Sequence, residues 1–216
     1  MRTQSKMDLR MKSKKINAAN SLKLLSGLLL MSLITGCATT VIPTSYLEHR
    51  DAGPARDMAT CWVKPGAKLS KFENILVEKF STQSAIGLTP GVQPDIQSSQ
   101  LRDLLVAELK ARGKKAVKDE LDLPPNAPYL VIGGNFAQLN PGNRVLRYMV
   151  GFGAGRAWVD VEAKVTAKKK ATEVPVAEFG VSAKKTAGVW GGDSDGFLDL
   201  CLRRIARVIS NYIVNN

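Results

Sequence analysis

One histidine in 216 residues, His49, removes the commonest catalytic and metal chemistries from consideration. A Ser-His-Asp or Cys-His apparatus needs an imidazole beside its nucleophile, and a histidine-based metal site needs one inside the fold. His49 stands in an irregular stretch ahead of the domain, so no catalytic residue, no metal and no cofactor is expected. Aromatic residues make up only 6% of the chain, and none is interleaved with the basic runs, which removes the stacking platform that single-stranded nucleic acid requires. The apolar run from Leu24 to Ile34 falls short of the roughly 20 residues that a permanent membrane-spanning helix needs. Cysteine is scarce as well, with only Cys37, Cys61 and Cys201.

Cys37 is the most informative of the three because of what precedes it. Basic residues from Arg2 to Lys23 lead into the apolar run, which closes on Ile34-Thr35-Gly36-Cys37. This is the pattern of a secretory signal peptide ending in a lipobox: a positive segment stays behind, a short apolar segment enters the export channel, and small residues present the cut. The resemblance to bacterial lipoprotein signals implies that residues 1–36 are removed and that Cys37, as the new first residue, is acylated with palmitate-type chains. Either Met1 or Met11 serves as a start. Each buried methylene contributes about 0.8 kcal/mol, so two or three acyl chains hold a protein to a bilayer stably. By analogy with enterobacterial sorting, Ala38 after the lipidated cysteine implies the outer membrane, facing the periplasm.

Removing the signal changes the charge argument. The whole chain has 31 Lys and Arg against 19 Asp and Glu, a net +12. Residues 1–36 hold 7 of the basic and 1 of the acidic residues, so 24 against 18 remain, a net +6. The surviving basic runs, Lys114-Lys115, Lys168-Lys169-Lys170, Lys184-Lys185 and Arg203-Arg204, read as solvated strand ends and helix faces, with contact to anionic lipid headgroups or another acidic envelope polymer as the alternative. No nucleic-acid partner is expected.

Residues 37–60, with Pro43, Gly53 and Pro54 and no sustained period, read as a lipidated tether, and residues 61–216 as one domain. In an oxidising compartment the even remainder of cysteines suggests a Cys61–Cys201 disulfide, closing a loop of 140 residues; two packed thiols are the alternative. Strand patterns at 75–80, 116–118, 129–139, from 156 and at 174–184 alternate with helical patterns at about 98–112 and 195–214. In the strand after Arg156, Ala157, Val159, Val161, Ala163 and Val165 share one face against Trp158, Asp160, Glu162 and Lys164, the signal of a sheet wet on one side. The last helix carries a stripe through Phe197, Leu200, Cys201, Ile205, Val208, Ile209, Tyr212 and Ile213. The expected class is α+β, one mostly antiparallel sheet with two amphipathic helices packed on one face.

The string Pro141-Gly142-Asn143-Arg144, with Arg147-Tyr148, Val150-Gly151-Phe152-Gly153-Ala154-Gly155 and the alternating strand that follows, resembles the signature of a bacterial lipoprotein family, domain of unknown function 4410. The resemblance extends over about 140 residues, through Gly191-Gly192-Asp193 and the terminal helix. One departure is the turn Lys168 to Thr172, where the family commonly has an Asp-Gly-like turn. The family brings no activity with it. The glycine stretch lacks a Gly-Lys-Ser/Thr ending and is followed by a strand, so it reads as a bulge or tight hairpin before a phosphate cradle. A further reading makes Arg144, Arg147, Gly151, Phe152, Gly153, Gly155 and Arg156 an interaction loop. Together these features predict a non-enzymatic envelope lipoprotein that binds a protein partner or serves an envelope assembly, with a carrier of a small apolar or lipid ligand as the alternative.

Overall fold

The computed structural model of the chain describes residues 44–55, 57–88, 92–142, 156–170, 172–185 and 194–216. Seven strands form one sheet: β1 (Ala52–Ala55), β2 (Met58–Val63), β3 (Asn74–Val77), β4 (Lys115–Val117), β5 (Tyr129–Asn140), β6 (Ala157–Lys169) and β7 (Thr172–Lys185). Two helices accompany them, α1 (Pro94–Ala111) and α2 (Ser194–Asn215). The strand order is β1-β2-β7-β6-β5-β3-β4.

The α+β class is as expected, but the sheet is mixed rather than mostly antiparallel. The successive pairs β1–β2, β2–β7, β7–β6 and β6–β5 are antiparallel, whereas β3 lies parallel to both β4 and β5. The physical reason is α1: a helix between β3 and β4 carries the chain back to the end where β3 began, and strands joined by such a crossover must be parallel. In the sequence β3 and β4 are only four and three residues long, too short to reveal direction.

α1 begins with Pro94, whose missing N–H costs nothing in the first turn, and Asp95 follows where a negative charge suits the helix dipole. It ends at Gly113, whose φ of +82° reverses the chain while Gly113 N–H and Lys114 N–H donate to the carbonyls of Lys110 and Leu109. Leu101, Leu105 and Leu109 are buried on its inner side. In α2 the buried stripe is Leu198, Cys201, Leu202, Ile205, Ala206, Ile209 and Ile213, about one position round from the face read in the sequence, so that Leu200 is 47% exposed. α2 touches α1, β6 and β7, and the buried residues of both helices join those of the sheet in one apolar cluster.

Residues expected as tether are partly structural. β1 and β2 lie within 37–60 and its continuation, and β2 pairs with β7 through Cys61↔Phe179 and Trp62↔Glu178. Residue 61, taken as the domain's start, stands in the middle of a strand.

Candidate functional site

The sheet face bearing Asp160 and Glu162 is buried, not wet: Asp160 and Glu162 are 0% exposed and Glu178 2%. Strand alternation places these three on one side, because paired residues share a face and Glu162 pairs with Asn135 on β5 and Gly180 on β7, while Lys164 pairs with Glu178. What shields Glu162 and Glu178 is residues 44–50, a strap laid over these two carboxylates. Thr44 donates its hydroxyl to Glu162 Oε2 and its N–H to Oε1 at 3.3 Å, and Arg50 Nη1 lies 2.9 Å from the same Oε1. The N–H groups of Glu48 and His49 both donate to Glu178 Oε2, at 2.9 and 2.7 Å. Lys164 Nζ bridges Glu48 Oε1 at 3.1 Å and Glu178 Oε1 at 3.7 Å. The His49 ring stacks on Trp62 with centroids 3.9 Å apart. Burial first, then the carboxylates of Glu78, Glu178 and Glu162, push the Tyr46 phenol above its ordinary pKa.

Buried carboxylates of this kind are expensive unless each oxygen finds a donor, and here the strap supplies backbone and side-chain donors to two of them. They cannot act as a glycosidase pair or a general base toward an outside substrate while the strap occupies them. Further along, Trp158 Nε1 donates to Asp160 Oδ1 at 2.6 Å and to Ser182 Oγ at 3.2 Å, and Lys184 Nζ lies 3.8 Å over the Trp158 ring. Trp62 and Trp158 thus stand on the polar face; Trp190 lies outside the described residues.

Among the described residues, clefts open at two places on the surface. One, of about 730 Å³, lies between the helices and is lined by Asp95, Ile96, Gln100, Asp103, Asp199 and Arg203 among others. Three of its charges are partnered: Arg203 Nε meets Asp199 at 2.7 Å, where Gln100 also donates at 2.7 Å, and Lys118 meets Asp103 at 2.7 Å. The other, of about 520 Å³, lies where β6 ends and β5 begins, with Lys68, Lys71, Lys168 and Lys169 around Phe72, Pro128, Ala167 and Val174. Among the described residues no group of His, Cys, Asp and Glu is placed to hold a metal.

Cys37, Arg144, Arg147, Gly151, Phe152, Gly153 and Gly155 lie outside the described residues; of the proposed interaction loop only Arg156 is described, exposed at the start of β6. Cys61 and Cys201 are free thiols rather than a disulfide. Cys61 is hydrogen-bonded to Tyr212 instead. Burial raises both thiols, that of Cys201 to about 11. Sequence reasoning missed the strap because residues 44–50 carry no strand or helix period; the signal available was the paired occurrence of Arg50 and His49 ahead of a strand face with three acids.

The family model DUF4410, a domain of unknown function, matches residues 93–188 of this chain. No curated protein matches. Among solved structures, similarity extends to a PelC dodecamer from Paraburkholderia phytofirmans, at 14% identity over 68% of this chain and 96% of that one, with a TM-score of 0.44. A DUF330 protein from Xanthomonas campestris is similar at 14% identity, 69% and 88% coverage and a TM-score of 0.42. A minor lipoprotein from Acinetobacter baumannii is similar at 10% identity, 67% and 92% coverage and a TM-score of 0.34.

Proposed function

We propose, from the premise that residues 93–188 match DUF4410, that this chain is a cell-envelope lipoprotein anchored through Cys37, whose domain works by binding and not by catalysis. The observation that carries the non-catalytic part is the strap. The buried acids Glu162 and Glu178, the groups with the strongest formal claim to chemistry, are engaged by backbone N–H groups, Thr44, Arg50 and Lys164 as internal supports. The lipobox supports the anchor, and the outer membrane is the destination that Ala38 favours. The domain's partner is then another envelope protein or assembly. The carrier reading is less well supported, because both clefts are open and rimmed by charged side chains, unlike the enclosed apolar cavity that a small apolar ligand needs.

Metabolic labelling with a fatty acid tests the anchor. Wild type should incorporate label, and Cys37→Ala should accumulate as unprocessed or unlabelled chain; membrane association without label in the wild type would refute the anchor. Crosslinking in intact envelopes followed by purification tests the binding role, which predicts a discrete partner band lost when the domain is displaced from the membrane.

A further inference from the structure

The sheet topology gathers at one end lysines that the sequence spreads over a hundred residues. Asn74, Lys115, Tyr129 and Lys168 lie in one row across β3, β4, β5 and β6, so the starts of β3, β4 and β5 and the end of β6 share an edge. Lys64 follows the end of β2 at this same edge, where its N–H donates to Val176 O at 2.9 Å. Lys68 precedes and Lys71 ends the short 3-10 turn Leu69–Lys71, and that turn is held in place by Lys114, whose Nζ donates to the carbonyls of Ser70 at 2.7 Å and Phe72 at 2.9 Å. Opposite them stand Lys168 and Lys169 of the β6–β7 hairpin, where Lys170 adopts a φ of +55°. The residues lining the cleft include four lysines and no carboxylate, over a floor of Phe72, Pro128, Ala167 and Val174. Lys168 has a carboxylate partner, Glu173 at 3.5 Å; Lys68, Lys71 and Lys169 have no ion pair among the described residues.

The ammonium groups of Lys68, Lys71 and Lys169, without an ion pair among the described residues, stand around an apolar floor, and an anion between them would relieve their mutual repulsion. The chain's own length allows a membrane to supply that anion. Thr44, bonded to Glu162, is seven residues beyond Cys37, a span of at most about 25 Å when extended, and Lys168 is six residues along the same strand from Glu162, about 20 Å. An acyl chain on Cys37 can therefore lie in the plane on which the lysine edge rests. We propose that this edge is the face the domain sets down on an anionic bilayer, with Lys68, Lys71, Lys168 and Lys169 receiving phosphodiester headgroups and the apolar floor meeting the region just beneath them. The proposal deepens the anchored-lipoprotein reading and rests on it for the source of the anion.

The test uses the full chain reconstituted on vesicles of phosphatidylcholine, or of phosphatidylcholine with about one third phosphatidylglycerol. Amine-reactive labelling is read lysine by lysine by mass spectrometry. On anionic vesicles at low salt, labelling of Lys68, Lys71 and Lys169 should fall at least about threefold relative to neutral vesicles and recover at about 0.5 M salt, where screening is short-ranged. Lys185, at the opposite end of β7, serves as reference and should not change. The variant Lys68→Gln, Lys71→Gln, Lys168→Gln, Lys169→Gln should keep its melting temperature and lose the difference in co-sedimentation between the two vesicle types. The mass of the Cys37 peptide in the same samples reports acylation, so a failed anchor is seen separately, and the anionic-against-neutral contrast remains readable on chain that lacks the acyl group. Equal labelling on both vesicle types overturns the proposal. Protection by soluble polyglutamate but not by anionic vesicles also overturns it and assigns the edge to an acidic polymer.

Discussion

Glu162 shows how much one side chain can organise. Its two oxygens take the Thr44 hydroxyl, the Thr44 N–H and Arg50, and its own strand neighbours leave it no water. Glu162→Ala leaves Arg50 and the strap's donors without their acceptor, and should cost about 1–3 kcal/mol, checked as a fall in the denaturation midpoint. Gly134 matters through space: a Cβ there would meet the Glu162 carbonyl oxygen and the Phe80 ring, so Gly134→Ala should destabilise by about 1–3 kcal/mol through overpacking. Cys201 gives a pH dependence. Burial, offset in part by Arg204 and Lys185, lifts its thiol from 9.0 to about 11. The folded state therefore holds a proton that the unfolded state releases between those values. This contribution is intact below pH 9 and is lost as pH rises toward 11, by at most about 3 kcal/mol. Thermal unfolding followed from pH 8 to 11 should show the decline, and Cys201→Ala should make it shallower. Alkylation of unfolded, unreduced protein should modify both Cys61 and Cys201, as free thiols require; a disulfide would leave both unmodified.

At the scale of elements, the strap and the short strands mark the limit of what sequence periodicity conveys. β5, β6 and β7 are long enough for alternation to show, and Val159, Val161, Ala163 and Val165 face the apolar cluster as that alternation implies. The helices are legible for the same reason, although in α2 Leu200 turns outward and Leu198 and Leu202 inward, because the stripe is chosen by the neighbours α1, β6 and β7 and not by hydrophobicity alone. β3 and β4 are too brief to show their parallel direction. The acids of β6 pointed to solvent in the sequence because their cover comes from residues more than a hundred positions earlier, and nothing local in Thr44 to Arg50 announces it. The four-lysine cleft was equally invisible: each basic run reads as an isolated solvated end until the strand register brings them to one row. Deleting residues 44–50 should lower the melting temperature by several degrees and speed amide exchange along β6 and β7 around Glu162 and Glu178, whereas an inert tether would leave both unchanged.

For the whole molecule, polarity runs along the strands as well as across the sheet. One face of the sheet carries apolar side chains of the core cluster, the other carries strapped carboxylates, and one end collects lysines. The order of strands has a consequence in time. β2 is made early, yet its partner β7 comes more than a hundred residues later, and the strap's acceptors Glu162 and Glu178 are at least as far from the strap. As the chain emerges N-terminus first, β1 and β2 can pair with each other, but the other edge of β2 and the strap have nothing to bind until β6 and β7 exist. The segment nearest the start of the domain thus cannot close until β7 has been made, and until it does the edge of β7 stays open to any other strand that reaches it.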